Sequence, residues 1–156
     1  MKPFRDAMED MGFTNVESYA TSGNLLFDAP ATDARSLERR IAGRLGTDAF
    51  VRTRTEMARV VAQDPLDAIV MFLDRPPTTA RKRALLELDV REPGPVLRGR
   101  TLYFSYPLLL RGRRTPVDIE DALGVRGTFR TSRVVATLLA RMSDRTRGRH
   151  APRTTR

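Results

Sequence analysis

The sequence predicts an α+β fold, because helical spacing of apolar residues alternates along the chain with the turn signals of antiparallel hairpins. Two segments are most informative. The turn sequence Thr-Ser-Gly-Asn at 21–24 separates two apolar segments and is typical of a β-hairpin. The continuous apolar run at 68–73 indicates a strand that is buried on both faces. With 156 residues, the chain suits one domain or two small halves.

The first half, residues 1–64, is predicted to begin with a short amphipathic helix that ends at Gly12. A later helix can be capped by Thr32 or Asp33 and can end at Gly46. The expected elements of this half, in order, are a helix over 4–11, strands over 16–20 and 25–28, a helix over 33–45, a strand over 50–53 and a helix over 55–61.

The second half, residues 65–142, begins with the apolar strand and ends with an amphipathic helix. Thr115 and Pro116 are typical of a helix start, and Gly124 of a helix end. The expected elements, in order, are a strand over 68–73, a helix over 79–88, strands over 95–97 and 101–106, a helix over 116–123 and a helix from Thr131 or Ser132 to Met142.

The charge of the chain is strongly basic, with 28 Lys and Arg residues against 19 Asp and Glu, a net charge of +9. Nearly all of the basic residues are arginines, whose planar guanidinium groups bind phosphate well. Residues 141–156 contain six arginines and one aspartate, and we expect a disordered basic tail over 143–156. Such a tail is most often a solvated end without a ligand, and the functional alternative is that it contacts nucleic acid or another polyanion through Arg145, Arg147 and Arg149.

Several chemistries are excluded by residue type. Cysteine is absent and His150 is the only histidine, which excludes disulfides, thiolate zinc sites, iron–sulfur clusters and histidine-based triads. No metal site and no cofactor are predicted. The first residues lack the apolar core of an export signal, and the run 68–73 is too short to span a bilayer. We therefore expect a cytoplasmic protein that makes no membrane contact.

The hairpin over 95–106 offers a second candidate contact for nucleic acid. Tyr103 can stack on bases while Arg98 and Arg100 bind phosphates, provided that one sheet face is open. Phe104 and Tyr106 share the opposite face of the strand and are expected in the core.

The segment Tyr-Ala-Thr-Ser-Gly-Asn-Leu-Leu-Phe at 19–27 resembles the hairpin of DUF1697, the domain-of-unknown-function 1697 family. The resemblance implies a fold of two ferredoxin-like halves and implies no activity. Four other segments fit the family in the same order: the helix 4–11 with Gly12-Phe13, the strand and proline pair at 69–77, the late strand at 101–107, and the closing helices with 121–125, Thr128 and Arg130.

The family usually begins with a strand and a glycine-rich segment that this sequence does not include. The first half is therefore expected to lack its initial strand, which lies inside the sheet in a ferredoxin-like fold. Neighbouring strands would then lose hydrogen-bond partners. We expect one of three outcomes: a misassigned start codon, a homodimer whose second copy completes the sheet, or a poorly ordered first half.

Two groups of residues are candidates for a small ligand. The turn Ser22-Gly23-Asn24 can place a hydroxyl and an amide at a ligand, but the same residues suit a tight turn with positive φ. Ser22 has no histidine to act as its base. The basic candidates are Arg111, Arg113, Arg114 and Arg130.

The sequence thus predicts a non-enzymatic binding module for nucleic acid or another phosphorylated ligand. The alternative is a small-ligand enzyme that uses the turn at 22–24 and nearby arginines. A flat basic face would favour the binding module, and a closed polar pocket would favour the enzyme.

Overall fold

The computed structural model describes residues 2–20, 23–63, 68–87, 95–105 and 116–150. Within these ranges the protein is a mixed α+β structure with six helices, six strands and two antiparallel sheets. The predicted α+β class is confirmed. In chain order the elements are α1 (Lys2–Asp10), β1 (Thr14–Tyr19), β2 (Asn24–Asp28), α2 (Ala34–Leu45), α3 (Arg54–Gln63), β3 (Ala68–Leu73), α4 (Thr79–Glu87), β4 (Val96–Arg98), β5 (Thr101–Ser105), α5 (Pro116–Leu123), β6 (Gly127–Thr131) and α6 (Ser132–His150).

The chain divides into two compact units. We call Met1–Arg54 with Thr137–Arg156 the terminal unit, and Thr55–Ala136 the central unit. The helix α6 begins in the central unit and continues in the terminal unit.

The terminal unit contains the hairpin β1–β2 and the helices α1 and α2. Its core consists of Met8, Phe13, Leu37 and Ile41, and the apolar residues around this core are only partly buried. Asp33 is the N-cap of α2, because its Oδ1 accepts a hydrogen bond of 2.9 Å from the backbone N–H of Ser36. The same bonding lowers the pKa of the Asp33 carboxyl. The helix ends at Gly46 with φ of +65°, as predicted.

The strand predicted over 50–53 is wrong. Residues 50–53 form no strand, and the backbone N–H of Val51 donates instead to Oε1 of Glu38, at 2.9 Å. Arg52 Nη1 lies 3.2 Å from the same oxygen, and both of these side chains are nearly buried. The nearly buried Glu38 carboxylate therefore accepts the backbone hydrogen bond of Val51, which the prediction had assigned to a neighbouring strand.

The central unit is built on a four-stranded sheet with the order β4-β5-β3-β6, in which every neighbouring pair is antiparallel. All six residues of β3 are buried, so the prediction of a strand covered on both faces is confirmed. Ile69, Met71 and Leu73 pack with Leu85 of α4 and with residues of α5 on one face. The alternate residues of β3 and β5 point to the other face, where the Tyr103 hydroxyl bonds to α3.

The last helix, α6, begins at Ser132, as predicted, but extends to His150 rather than ending at Met142. The prediction of a disordered tail from residue 143 is therefore wrong for residues 143–150. Arginine is a good helix former, and Arg145 contacts Asp28 within the terminal unit, which anchors this part of the helix. Residues 151–156 lie outside the described residues. None of the helices in the described ranges combines the length and apolarity that a membrane span requires.

Candidate anion-binding surface

Three loops of the central unit meet where β3 ends. The backbone N–H of Leu73 donates to the carbonyl oxygen of Arg100, and that of Asp74 donates to the carbonyl oxygen of Arg126, both at 2.9 Å. The antiparallel topology explains this meeting, because the C-terminal end of β3 lies beside the N-terminal ends of β5 and β6. The β3–α4, β4–β5 and α5–β6 connections are thereby brought to one end of the sheet.

Asp74 holds these loops together. Its carboxylate accepts hydrogen bonds from the backbone N–H of Arg126, at 3.2 Å, and from Nη1 of Arg75, at 2.9 Å. The Nη1 of Arg100 donates to the Asp74 carbonyl oxygen at 3.3 Å. The Asp74 side chain is 20% exposed, so its charge is partly shielded from water. One acidic residue thus positions three arginines.

Two arginines also bond to the C-terminal end of α5. Arg75 Nη2 donates to the carbonyl oxygen of Gly124 at 2.7 Å, and Arg81 Nη1 donates to that of Asp121 at 3.4 Å. The last carbonyls of a helix lack intrahelical partners and carry its partial negative charge, so cationic donors are favoured there. Gly124, with φ of +63°, ends the helix in the conformation that glycine adopts most readily.

We call Arg75, Arg81, Arg98, Arg100 and Arg126 the arginine cluster. Arg75, Arg81, Arg98 and Arg126 are exposed, whereas the Arg100 side chain is 14% exposed and lies 3.8 Å from Oε1 of Glu56. A guanidinium has five N–H donors, and the bonds of Arg75 and Arg81 described above occupy only part of that capacity. Arg75 and Arg81, which the end of α5 positions, therefore present outward guanidinium donors of the kind that bind phosphate oxygens, and Arg98 and Arg126 add exposed positive charge on the adjoining connections.

Of the residues predicted to contact nucleic acid, Arg98 and Arg100 lie in this cluster and Tyr103 does not. Tyr103 is 2% exposed, and its hydroxyl donates to the carbonyl oxygen of Val60 in α3, at 3.5 Å. A base cannot stack on a ring that is buried, so the prediction for Tyr103 is wrong. Base stacking requires one open sheet face, but the face that carries Tyr103 is buried at this residue and bonds to α3 there. Phe104 is buried, as predicted, and Tyr106 lies outside the described residues.

The three predicted tail residues, Arg145, Arg147 and Arg149, all lie in α6. Arg145 is engaged within the terminal unit. Its Nη2 lies 3.7 Å from Oδ2 of Asp28 and donates to the carbonyl oxygen of Asn15.

The candidate small-ligand residues are only partly described. Gly23 has φ of +78°, and Asn24 is buried with its Nδ2 donating to the carbonyl oxygen of Tyr19, at 3.1 Å. These two residues close the hairpin, in agreement with the turn interpretation. Ser22, Arg111, Arg113 and Arg114 lie outside the described residues.

Arg130, the remaining candidate, lies on β6 in the central unit, whereas Gly23 and Asn24 lie in the terminal unit. Its Nη1 donates to Oγ1 of Thr128 at 2.8 Å and to the carbonyl oxygen of Phe129 at 2.6 Å. Burial lowers the pKa of the Arg130 guanidinium. Within the described ranges, no group of three or more acidic or histidine side chains is placed to hold a metal ion.

The fold and the arginine cluster define an α+β protein with a basic surface at one end of its central sheet. The chain belongs to the DUF1697 family of proteins of unknown function, whose family model matches residues 1–103. The resemblance seen in the hairpin sequence is confirmed by this match. No curated protein and no solved structure matches the chain.

Sequence reasoning missed Arg75, Arg81 and Arg126 as members of one surface. Arg75 and Arg81 precede Arg126 by more than forty residues, and the fold alone brings them to the ends of β3 and α5. A weak signal was present, since Arg75 comes two residues after the apolar strand and Arg126 comes two residues after the glycine that ends a helix.

Proposed function

We propose that the protein is a non-enzymatic binding module for phosphate groups carried by a nucleic acid or a nucleotide, and that the arginine cluster is the binding surface. The observation that carries the proposal is that Arg75 and Arg81 are held at the end of α5 beside the loops anchored by Asp74, with Arg75, Arg81, Arg98 and Arg126 exposed. Arginines whose positions are fixed by the fold lose little side-chain entropy when they bind an anion.

The central unit carries a net positive charge. Residues 55–136 contain fourteen basic and ten acidic residues. Lys82 and Arg83, next to Arg81 in the first turns of α4, are also exposed. A phosphorylated ligand would therefore meet a positive potential at this unit.

We further propose that the central unit is a ferredoxin-like half. Its elements β3-α4-β4-β5-α5-β6 follow the strand–helix–strand–strand–helix–strand order of that fold, and the sheet order β4-β5-β3-β6 agrees with it. In that framework the arginine cluster lies at one end of the sheet, where connecting loops commonly carry binding residues.

The test compares two triple variants with the same change in charge. The first, Arg81→Gln/Arg98→Gln/Arg126→Gln, removes three exposed arginines of the cluster. The control, Arg5→Gln/Arg35→Gln/Arg59→Gln, removes three exposed arginines from α1, α2 and α3. Binding of a labelled 12-nucleotide single-stranded DNA is followed by fluorescence anisotropy between 50 and 300 mM KCl, and thermal melts verify that both variants fold.

The cluster variant should bind weakly, and its log–log salt slope should be smaller than that of the wild type by about 2, since each phosphate contact on a single strand contributes about 0.7. The control should keep most of the wild-type slope. Equal losses in the two variants would refute a localised surface. Competition by inorganic phosphate or ATP distinguishes a nucleic-acid ligand from a small phosphorylated one. Displacement of the oligonucleotide by either competitor at low millimolar concentration indicates a small phosphorylated ligand.

A further inference from the structure

Within the terminal unit, two arginines on successive turns of α6 bond to the hairpin β1–β2. Arg141 forms an ion pair with Glu17, and its guanidinium lies 4.7 Å from the centroid of the Tyr19 ring. One turn later, Arg145 lies 3.7 Å from Oδ2 of Asp28. The hairpin thus meets this helix with two carboxylates and one aromatic face.

These partners have the same chemistry as a single strand of nucleic acid. A single strand of nucleic acid presents anionic phosphate oxygens and flat base rings to an arginine-rich helix. In this structure the carboxylates of Glu17 and Asp28 take the place of the phosphates, and the Tyr19 ring takes the place of a base. Arginine recognises both features, through charge-assisted hydrogen bonds and through cation–π contact. The hairpin therefore occupies the guanidinium groups of Arg141 and Arg145, which α6 would use to bind a single strand of nucleic acid.

The charge of α6 exceeds what the hairpin neutralises. The helix contains five arginines and one aspartate, and Glu17 and Asp28 pair with two of the arginines. Arg147 and Arg149 follow in the last turns of the helix. All four of the paired side chains keep some exposure to water, from 19% for Arg145 to 44% for Arg141. An incoming phosphate can therefore exchange with a carboxylate without unfolding the unit.

We propose that the C-terminal part of α6, residues 141–150, is a second binding segment, for single-stranded nucleic acid, and that Glu17 and Asp28 of the hairpin mask it by competing for Arg141 and Arg145. Binding of a strand exchanges these carboxylates for phosphates and frees the Tyr19 ring to stack on an unpaired base. This segment lies in the terminal unit and is independent of the arginine cluster of the central unit.

The test removes the competing charges in the Glu17→Gln/Asp28→Asn variant. The matched control is Asp6→Asn/Glu9→Gln, which removes the same two charges from exposed positions of α1. Both are made in the background of the cluster variant Arg81→Gln/Arg98→Gln/Arg126→Gln, so that the result does not depend on the first surface. The probe is a labelled 12-nucleotide single-stranded DNA, with the RNA of the same sequence as a second arm.

Unmasking should raise affinity at 50 mM KCl about 2- to 30-fold, since exposed ion pairs are worth about 0.2–1 kcal/mol each. It should also steepen the log–log salt slope by about 1.4, the contribution of two phosphates on a single strand. Adding Arg141→Gln and Arg145→Gln should remove this gain. Equal behaviour of the unmasked variant and its control would overturn the proposal.

A measurement on the wild-type protein covers the case in which the unmasked variant fails to fold. Saturating oligonucleotide should speed amide hydrogen exchange in the hairpin, residues 14–28, because the hairpin loses its contacts with Arg141 and Arg145. Exchange in the hairpin that is unchanged or slowed by bound oligonucleotide would contradict the masking mechanism.

Discussion

Replacing Gly127 by alanine should destabilise the central unit, although both residues are small. A Cβ at this position would lie 3.0 Å from Cγ of Met71, closer still to its Cε, and 3.1 Å from the backbone oxygen of Phe72. Met71 is fully buried on β3, so its Cε can give way only by displacing packed neighbours, and the Phe72 oxygen belongs to the backbone of the sheet. Overpacking of this kind costs about 1–3 kcal/mol.

The matched control is Gly43→Ala, the same chemical change in α2. A Cβ at Gly43 meets no atom within 4 Å, and the position is helical and exposed. Alanine should therefore stabilise the helix by about 0.5–1 kcal/mol. In a chain of this size, melting temperature changes by about 2–4 °C per kcal/mol, so the two variants should differ in sign and be separated by several degrees.

Urea unfolding and thermal melts measure both variants, and a double-mutant cycle tests the cause. In a Met71→Ala background the space beside Gly127 is open, and Gly127→Ala should then cost much less than it does in the wild type. A cost that is unchanged in that background would show that Met71 is not the source of the strain. A wild-type melting temperature for Gly127→Ala itself would refute the packing described for this part of the sheet.

Three further outcomes are expected. Tyr103→Phe should lower the free energy of unfolding by about 1 kcal/mol and leave oligonucleotide affinity unchanged, because its hydroxyl bonds to α3 rather than facing solvent; a loss of binding in anisotropy would contradict this. Asp33→Asn should flatten the acid side of the pH–stability curve. The folded-state pKa of Asp33 is lowered, so its contribution to the free energy of unfolding is present above its unfolded pKa of about 3.9 and is lost as pH falls through the folded-state pKa. Urea titrations at pH 2–5 measure this, and a curve identical to that of the wild type would contradict the reasoning. Arg52→Ala should destabilise the protein by about 3–5 kcal/mol, because it removes the cation beside the nearly buried Glu38 carboxylate, and a melting temperature close to that of the wild type would show that the pair contributes little.

Local signals in the sequence predicted the helices and the central strand well. The apolar run of β3 could be assigned because it is short and contains β-branched residues, which favours a strand covered on both faces over a buried helix. The α2 cap was restricted to Thr32 or Asp33, and Asp33 provides it. Gly46 and Gly124 were recognised as helix ends, since both adopt the positive φ that glycine favours there.

The strand β6 was missed for a physical reason. Its five residues begin with a glycine and include one strongly apolar side chain, Phe129, so the alternation is too short to stand out. What makes it a strand is pairing with β3, in which Val70 lies opposite Arg130, sixty residues along the chain. Such long-range pairing leaves almost no local signature. At 50–53 the error is the reverse: a strand was predicted that does not form, because this segment has no pairing partner among the described residues.

The candidate surface could be predicted only in part. Arg98 and Arg100 were singled out because they flank a hairpin turn, which is a local feature. Arg75 and Arg81 join them through bonds to the end of α5, and no local pattern predicts those bonds. Tyr103 was misplaced because the burial of a sheet face depends on a helix from another part of the chain.

Several arginines of this protein have a structural role in addition to the binding role proposed for them. In the central unit, Arg75 and Arg81 stabilise the end of a helix with single donors, and the remaining guanidinium surface still faces water. In the terminal unit, Arg141 and Arg145 pair with the carboxylates of Glu17 and Asp28, as Arg75 pairs with that of Asp74 in the central unit. Under the two proposals made above, α6 would bind a strand only when its ion pairs exchange, whereas Arg81, Arg98 and Arg126 would be exposed to a phosphate from the start.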